Sequence, residues 1–101
     1  MSDEIKLTHT SSLILQTIGG GFNYGFDIME ATGLPSGTVY PALRRLEQLG
    51  LIQSKWEKES KAAAEQRPAR KYYKLTALGE ISLAKAVQRY PLLQHLKGTR
   101  S

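Results

Sequence analysis

The chain has no cysteine, which excludes a disulfide framework and any thiolate-held metal or redox centre. Its two histidines, His9 and His95, are far apart and lack the Asp, Glu or Cys company of a metal or acid–base site. Nothing suggests a serine backed by an ordered His–carboxylate pair. No enzyme activity, catalytic residue, metal or cofactor is therefore expected. No apolar run approaches the ~20 residues that span a bilayer. The N-terminus, MSDEIKLTHT, is polar and starts acidic, so no signal peptide is expected and a cytoplasmic location is. Acidic residues are also scarce: 9 Asp and Glu stand against 14 Lys and Arg, for a net charge of +5 and a pI near 9.6. Such a balance favours an anionic partner, but by itself only weakly.

What remains is an ordinary globular composition, 41% hydrophobic and 23% charged over 101 residues, enough for one domain with a modest core. The most informative stretch is LPSGTVYPALRRLEQLGL, residues 34–51. Ser36 is placed to cap a helix whose end Gly50 closes with a left-handed residue. Within it Val39, Ala42, Leu43, Leu46 and Leu49 share one side of a 3.6-residue period. Gly37, Tyr40, Pro41, Arg44 and Gln48 share the other, with Thr38 and Arg45 on a flank. That outward face is small, then aromatic and cationic. Pro41 has no N–H for the carbonyl of Gly37, which predicts an irregular first turn or a tip shaped to press on another surface.

A first helix is predicted over residues 10–18 from the stripe Leu13, Ile14, Thr17 and Ile18. Gly19, Gly20 and Gly21 read as its stop; a phosphate loop would follow a strand and needs glycine where Tyr24 stands. Asn23 is a candidate cap for a second helix over residues 24–31, stopped by Gly33. Gly25 inside it weakens the helix and so predicts a close approach by another helix. Helix, short turn and helix, the latter bearing the aromatic-cationic face, make a helix-turn-helix pattern. Residues 51–58 and 69–76 alternate as two strands of an antiparallel hairpin, with Ile52 and Trp56 expected to cover the core alongside Tyr73 and Leu75. The segment 55–74 carries seven Lys and Arg against three Glu, and its middle reads as a flexible, solvated link. Thr76 is positioned to cap a last helix from residue 77 to about 90, interrupted at Pro91. Leu78, Ile81, Val87, Leu92 and Leu96 give that helix more apolar surface than a small domain covers, which predicts a second copy of the chain packed on it.

These elements add up to a mainly α fold with a small β-hairpin, a winged helix-turn-helix followed by a C-terminal dimerisation helix. The expected organisation is an N-terminal arm at 1–9, the DNA-binding domain at 10–76 with its wing at about 51–76, the dimerisation helix at 77–97 and a tail at 98–101. The wording of the sequence is more specific than its pattern. SGTVYPALRRLEQLGLI (36–52), Trp56, RP (67–68), RKYYKLT (70–76) and LG (78–79) together resemble the PadR family of transcriptional regulators. NYGFDIMEATG (23–33) resembles that family's second helix, and the likeness runs from about residue 12 to 79.

The resemblance implies a homodimeric regulator of repressor type, with the 36–49 helix in the major groove of double-stranded DNA and the hairpin as its wing. Carried over by position, Ser36, Thr38, Tyr40, Arg44 and Arg45 match the recognition-helix face, and Arg67, Arg70 and Lys71 match the wing. Arg44 is the candidate for a base-edge contact; Arg45 and the wing cations are candidates for phosphates. Tyr72 and Tyr73 match wing-strand aromatics of structural type. The tip ESKAAAEQRPAR is long and has alanines where glycine is common, and the early end of the chain resembles the short subfamily. Relatives bind small-molecule effectors near the dimer axis; the residues here leave an effector open. The rival readings are a winged-helix protein-interaction module without DNA binding and an RNA-binding winged helix. The cationic helix face and wing speak against the former.

Overall fold

The computed structural model describes residues 7–89, with side chains described to residue 86. Its elements run α1 (His9–Gly19), α2 (Gly25–Thr32), α3 (Ser36–Gln48), β1 (Ile52–Trp56), α4 (Glu59–Ala64), β2 (Lys71–Leu75) and α5 (Ala77–Arg89). The three predicted N-terminal helices, the hairpin and the last helix are all present, with ends shifted by a residue or two. α1 starts where the Thr8 hydroxyl accepts from the Ser11 amide at 3.0 Å.

The core is what the helical and strand periods select. Ile14, Leu15 and Ile18 of α1, Ile28 of α2, and Val39, Leu43 and Leu46 of α3 close around Leu51, Ile52 and Tyr73 from the hairpin. The amphipathic reading of α3 is thus correct on its inner side, and Tyr40, Pro41, Arg44, Arg45 and Gln48 are all exposed. α3 continues unbroken through Pro41. The ring sits near the helix start, beside a Gly37 with open space around it, where the missing hydrogen bond costs least.

Two predicted caps are corrected. Ser36 is the first helical residue of α3, not its cap; Pro35 holds the cap position at φ −76°, ψ 162°, and its carbonyl accepts from Thr38 and Val39. Asn23 does not cap α2 either. Tyr24 precedes that helix in extended conformation and bridges antiparallel to Tyr72, while the Asn23 carbonyl accepts from the Tyr73 amide at 2.7 Å. The segment before α2 is therefore tied to the hairpin. The far end of α3 follows expectation: Gly50 is left-handed at φ 77°, its amide donates to Glu47 and that of Leu51 to Leu46. That pair of bonds closes the helix and turns the fully buried Leu51 back under Leu46.

β1 and β2 pair antiparallel, Ile52 opposite Leu75 and Trp56 opposite Lys71. Trp56 was expected in the core but is 62% exposed. At ~3.3 Å per residue the strand carries it roughly 13 Å beyond the buried Ile52, to the far end of β1. The expected flexible link is instead partly helical. ESKAAA forms α4, buries Ala62, and ends through a left-handed Gln66 at φ 55° with the Arg67 amide donating back to the Ala62 carbonyl.

α5 begins at the predicted cap: the Thr76 hydroxyl accepts from the Gly79 amide at 3.0 Å and donates to the Gly50 carbonyl at 2.6 Å. Leu78 and Ile81 are exposed on its outer side. The Val87 side chain, Pro91, Leu92 and Leu96 lie outside the described residues, as does most of the predicted N-terminal arm. No described helix is long and apolar enough to cross a membrane.

Candidate nucleic-acid interface

α3 presents its outward face as a ridge, and β1 and β2 rise beside it. Between them, with the first turn of α2 as floor, lies a trough of about 810 Å³. Of the residues singled out from sequence, Tyr40, Arg44, Arg67, Arg70 and Lys71 all line this trough. Ser36, Thr38 and Arg45 are on α3 outside its lining, Ser36 and Arg45 exposed and Thr38 half-buried.

Tyr40 is held by a glycine. A Cβ at Gly25 would stand 2.7 Å from both Cε1 and Cζ of the Tyr40 ring and closer still to its hydroxyl. The close approach predicted at Gly25 is thus made by a side chain of α3, which leans on α2 while remaining 44% exposed. Arg44 projects one turn further along the same face and is exposed. Glu47, the acid next along the ridge, accepts a 2.6 Å hydrogen bond from the Ser54 hydroxyl and so braces α3 against β1.

On the hairpin side the cations divide into two kinds. The Arg67 guanidinium forks onto Glu57, NH1 to Oε1 at 2.7 Å and NH2 to Oε2 at 2.8 Å. Nε also donates to Glu65, and NH1 to the Pro68 carbonyl. These donors brace the base of the wing. The Glu57 side chain is only 3% exposed. Besides Arg67 it accepts from the Arg70 amide at 3.2 Å and faces the Tyr72 hydroxyl at 3.4 Å. The hydrogen bonds from Arg67 hold its carboxyl at about 2, well below the usual 4.5, against the opposing effect of burial. This buried fork fixes the base of the wing across the loop that α4 occupies.

Arg70 and Lys71 are the second kind. The Arg70 guanidinium lies 4.3 Å over the Tyr24 ring, and the Lys71 ammonium sits 5.8 Å from the Trp56 ring centre and 5.9 Å from that of Tyr73. Both are held by aromatic faces, which orient a cation without neutralising it. Burial, with Glu47 nearby, pushes the Tyr73 hydroxyl above its ordinary pKa, so it stays protonated.

Reading the sequence missed Phe26, 60% exposed at the start of α2, and it misplaced Trp56. Neither carries a local signal of its position: Phe26 sits in a helical apolar stripe and Trp56 on the inward phase of its strand. Among the described residues no group of three or more His, Asp or Glu is arranged to hold a metal ion.

A search of curated proteins gives no match. Solved structures do match. A PadR family transcription regulator from Clostridium difficile is 27% identical with a TM-score of 0.72, over 91% of this chain and 97% of the other. A PadR-like transcription factor from Bacteroides fragilis is 27% identical with a TM-score of 0.68, over 90% of this chain and 88% of that one. The adhesin competence repressor of Streptococcus pyogenes is similar in fold alone, at 16% identity and a TM-score of 0.70, covering 93% of this chain and 65% of its own length. The model of the transcriptional regulator PadR-like family matches residues 14–85, from the second half of α1 through most of α5. With that match over most of its length, on a winged helix whose helix face and wing carry the family's wording, the chain belongs to the PadR-like family of transcriptional regulators.

Proposed function

We propose that the protein is a sequence-specific double-stranded DNA-binding regulator that represses transcription as a homodimer on an inverted-repeat operator. The observation that carries this reading is the exposed Tyr40–Arg44 ridge of α3, standing beside a wing that offers Arg70 and Lys71. A helix of this diameter fits the major groove of B-DNA, and a neighbouring hairpin then meets the flanking backbone. Arg70, Lys71 and Arg45 contact phosphates and supply most of the affinity. Arg44, exposed mid-helix, reads a base edge, most simply a guanine through O6 and N7. The apolar pair Leu78 and Ile81 on α5 joins two copies, which sets half-sites about one helical turn, ~34 Å, apart.

The test is selection of a bound duplex from random sequence, followed by titration of Arg44→Ala on the selected and an unrelated duplex. The substitution should cost ~1–3 kcal/mol on the selected duplex and relax preference at one position, with little change on the unrelated one. Equal loss on both would refute the role of Arg44. Failure of any duplex to be enriched would remove the regulator reading.

A further inference from the structure

The trough ends on the chain's single tryptophan. An indole that is 62% exposed at the free end of a strand contributes little to the core, and the 60% exposed Phe26 ring lines the same trough from the α2 side. The surface between them alternates flat rings and cations: Arg70 on Tyr24, then Lys71 between Trp56 and Tyr73, then Arg44 beside Tyr40. Glu47, held by Ser54, is the acid in its lining, and the lining's Arg67 is paired outside it with Glu57. Among the described residues Arg44, Arg70 and Lys71 form no ion pair, so the trough is left cationic.

A DNA strand has the complementary alternation, with one phosphate per ~3.4 Å of helix axis and the apolar face of a deoxyribose between successive phosphates. The trough is also continuous with the ridge that the proposed function places in the major groove, because Tyr40 and Arg44 belong to both. Resting on that proposed function, we propose that the trough seats the sugar–phosphate strand bordering the α3-filled major groove, and that Trp56 is a positioning residue packed on one of its deoxyriboses. Lys71 and Arg70 then reach the phosphates on either side. Trp56 reads no base edge; it sets how far the wing leans over the backbone, whatever the sequence.

As the only tryptophan, Trp56 reports on its own environment. The full chain is titrated with unlabelled duplex while tryptophan emission and acrylamide quenching are followed, and in parallel with end-labelled duplex read by anisotropy. Emission should change with the same midpoint as anisotropy, and acrylamide quenching should fall several-fold on saturation. Trp56→Ala should weaken selected and unrelated duplexes alike by roughly tenfold, as removal of a stacking ring does. The salt slope should be unchanged, since no charge is lost, whereas Lys71→Ala lowers it by about one. Trp56→Phe should restore most of the affinity. Unfolding curves of both variants close to the parent's separate contact from misfolding. Saturable anisotropy with Trp56 still open to acrylamide, or with Trp56→Ala binding as the parent does, overturns the proposal and leaves the regulator reading standing. Absence of saturable anisotropy on any duplex overturns both.

Discussion

Replacing Gly79 by alanine should destabilise the domain, even though alanine is the better helix former. In a helix interior that exchange is worth ~1 kcal/mol in favour of alanine, and less in the first turn of α5. Against it stands a backbone. A Cβ at Gly79 would lie 2.9 Å from the Leu51 carbonyl carbon and inside contact with its oxygen. That carbonyl accepts from the Thr76 amide at 3.0 Å, and Leu51 is fully buried beneath α3, so it cannot step aside. α5 must move instead, and the movement strains Thr76 N–H to Leu51, Thr76 Oγ1 to Gly50 and Gly79 N–H to Thr76 Oγ1. Losing two of these at ~0.5–1.5 kcal/mol each, with ~1–3 kcal/mol for overpacking, outweighs the alanine gain by about 1–5 kcal/mol. In a domain of this size each kcal/mol lowers the melting temperature by roughly 4–8 °C. Thermal unfolding by circular dichroism, at matched protomer concentration, measures it. Gly25→Ala is the control, because the atoms its Cβ would meet belong to the far end of the Tyr40 side chain, which can swing away. Its stability should stay within ~1 kcal/mol of the parent while DNA affinity changes. A Gly79→Ala domain melting at or above the parent would refute the reasoning, as would equal losses in the two variants.

The wing should loosen in acid. Glu57 titrates near 2 in the folded protein against an ordinary 4.5, so its contribution is present above about 4.5 and is lost as pH falls toward 2. Protection factors against hydrogen exchange at the Glu57 and Arg70 amides, taken relative to the intrinsic rate at each pH, should fall over that window in the parent, and Glu57→Gln should show low protection already at neutral pH; pH-independent protection in the parent would contradict this. Arg67→Ala leaves the buried Glu57 carboxylate uncompensated and should make the α4 segment sensitive to protease, whereas Arg67→Lys, which cannot fork, should rescue only in part. Leu78→Ser with Ile81→Ser should shift the mass seen by light scattering from dimer to monomer without loss of helix content. An unchanged mass would exclude this face of α5 from the interface.

The contents of α3 were legible because they are local. Its buried and exposed sides follow a 3.6-residue period, its end is marked by a glycine that must be left-handed, and its charged face needs nothing from elsewhere to point outward. The cap of α5 at Thr76 was legible for the same reason, and the two strands through the two-residue alternation that each carries. What failed had no local cause. Ser36 and Asn23 are good capping residues by type, but Pro35 already held the extended position before α3, and the hairpin claimed Asn23's backbone. Six residues of ESKAAA are too few to hold a helix alone; burial of Ala62 and the Glu57–Arg67 fork stabilise α4.

The order of elements, the apolar stripes and the identity of the outward side chains were thus settled by the chain itself, since each depends on neighbours within a turn or a strand. Which of those outward groups are free was decided only by tertiary structure. Arg67 and Arg70 differ by three positions, yet one is spent on a buried carboxylate and the other rests on an aromatic ring with its charge intact. Trp56 lies on the inward phase of its strand, yet no described residue buries it and it stays 62% exposed at the strand's far end. Both outcomes depend on distances between segments far apart in sequence, which no local period encodes.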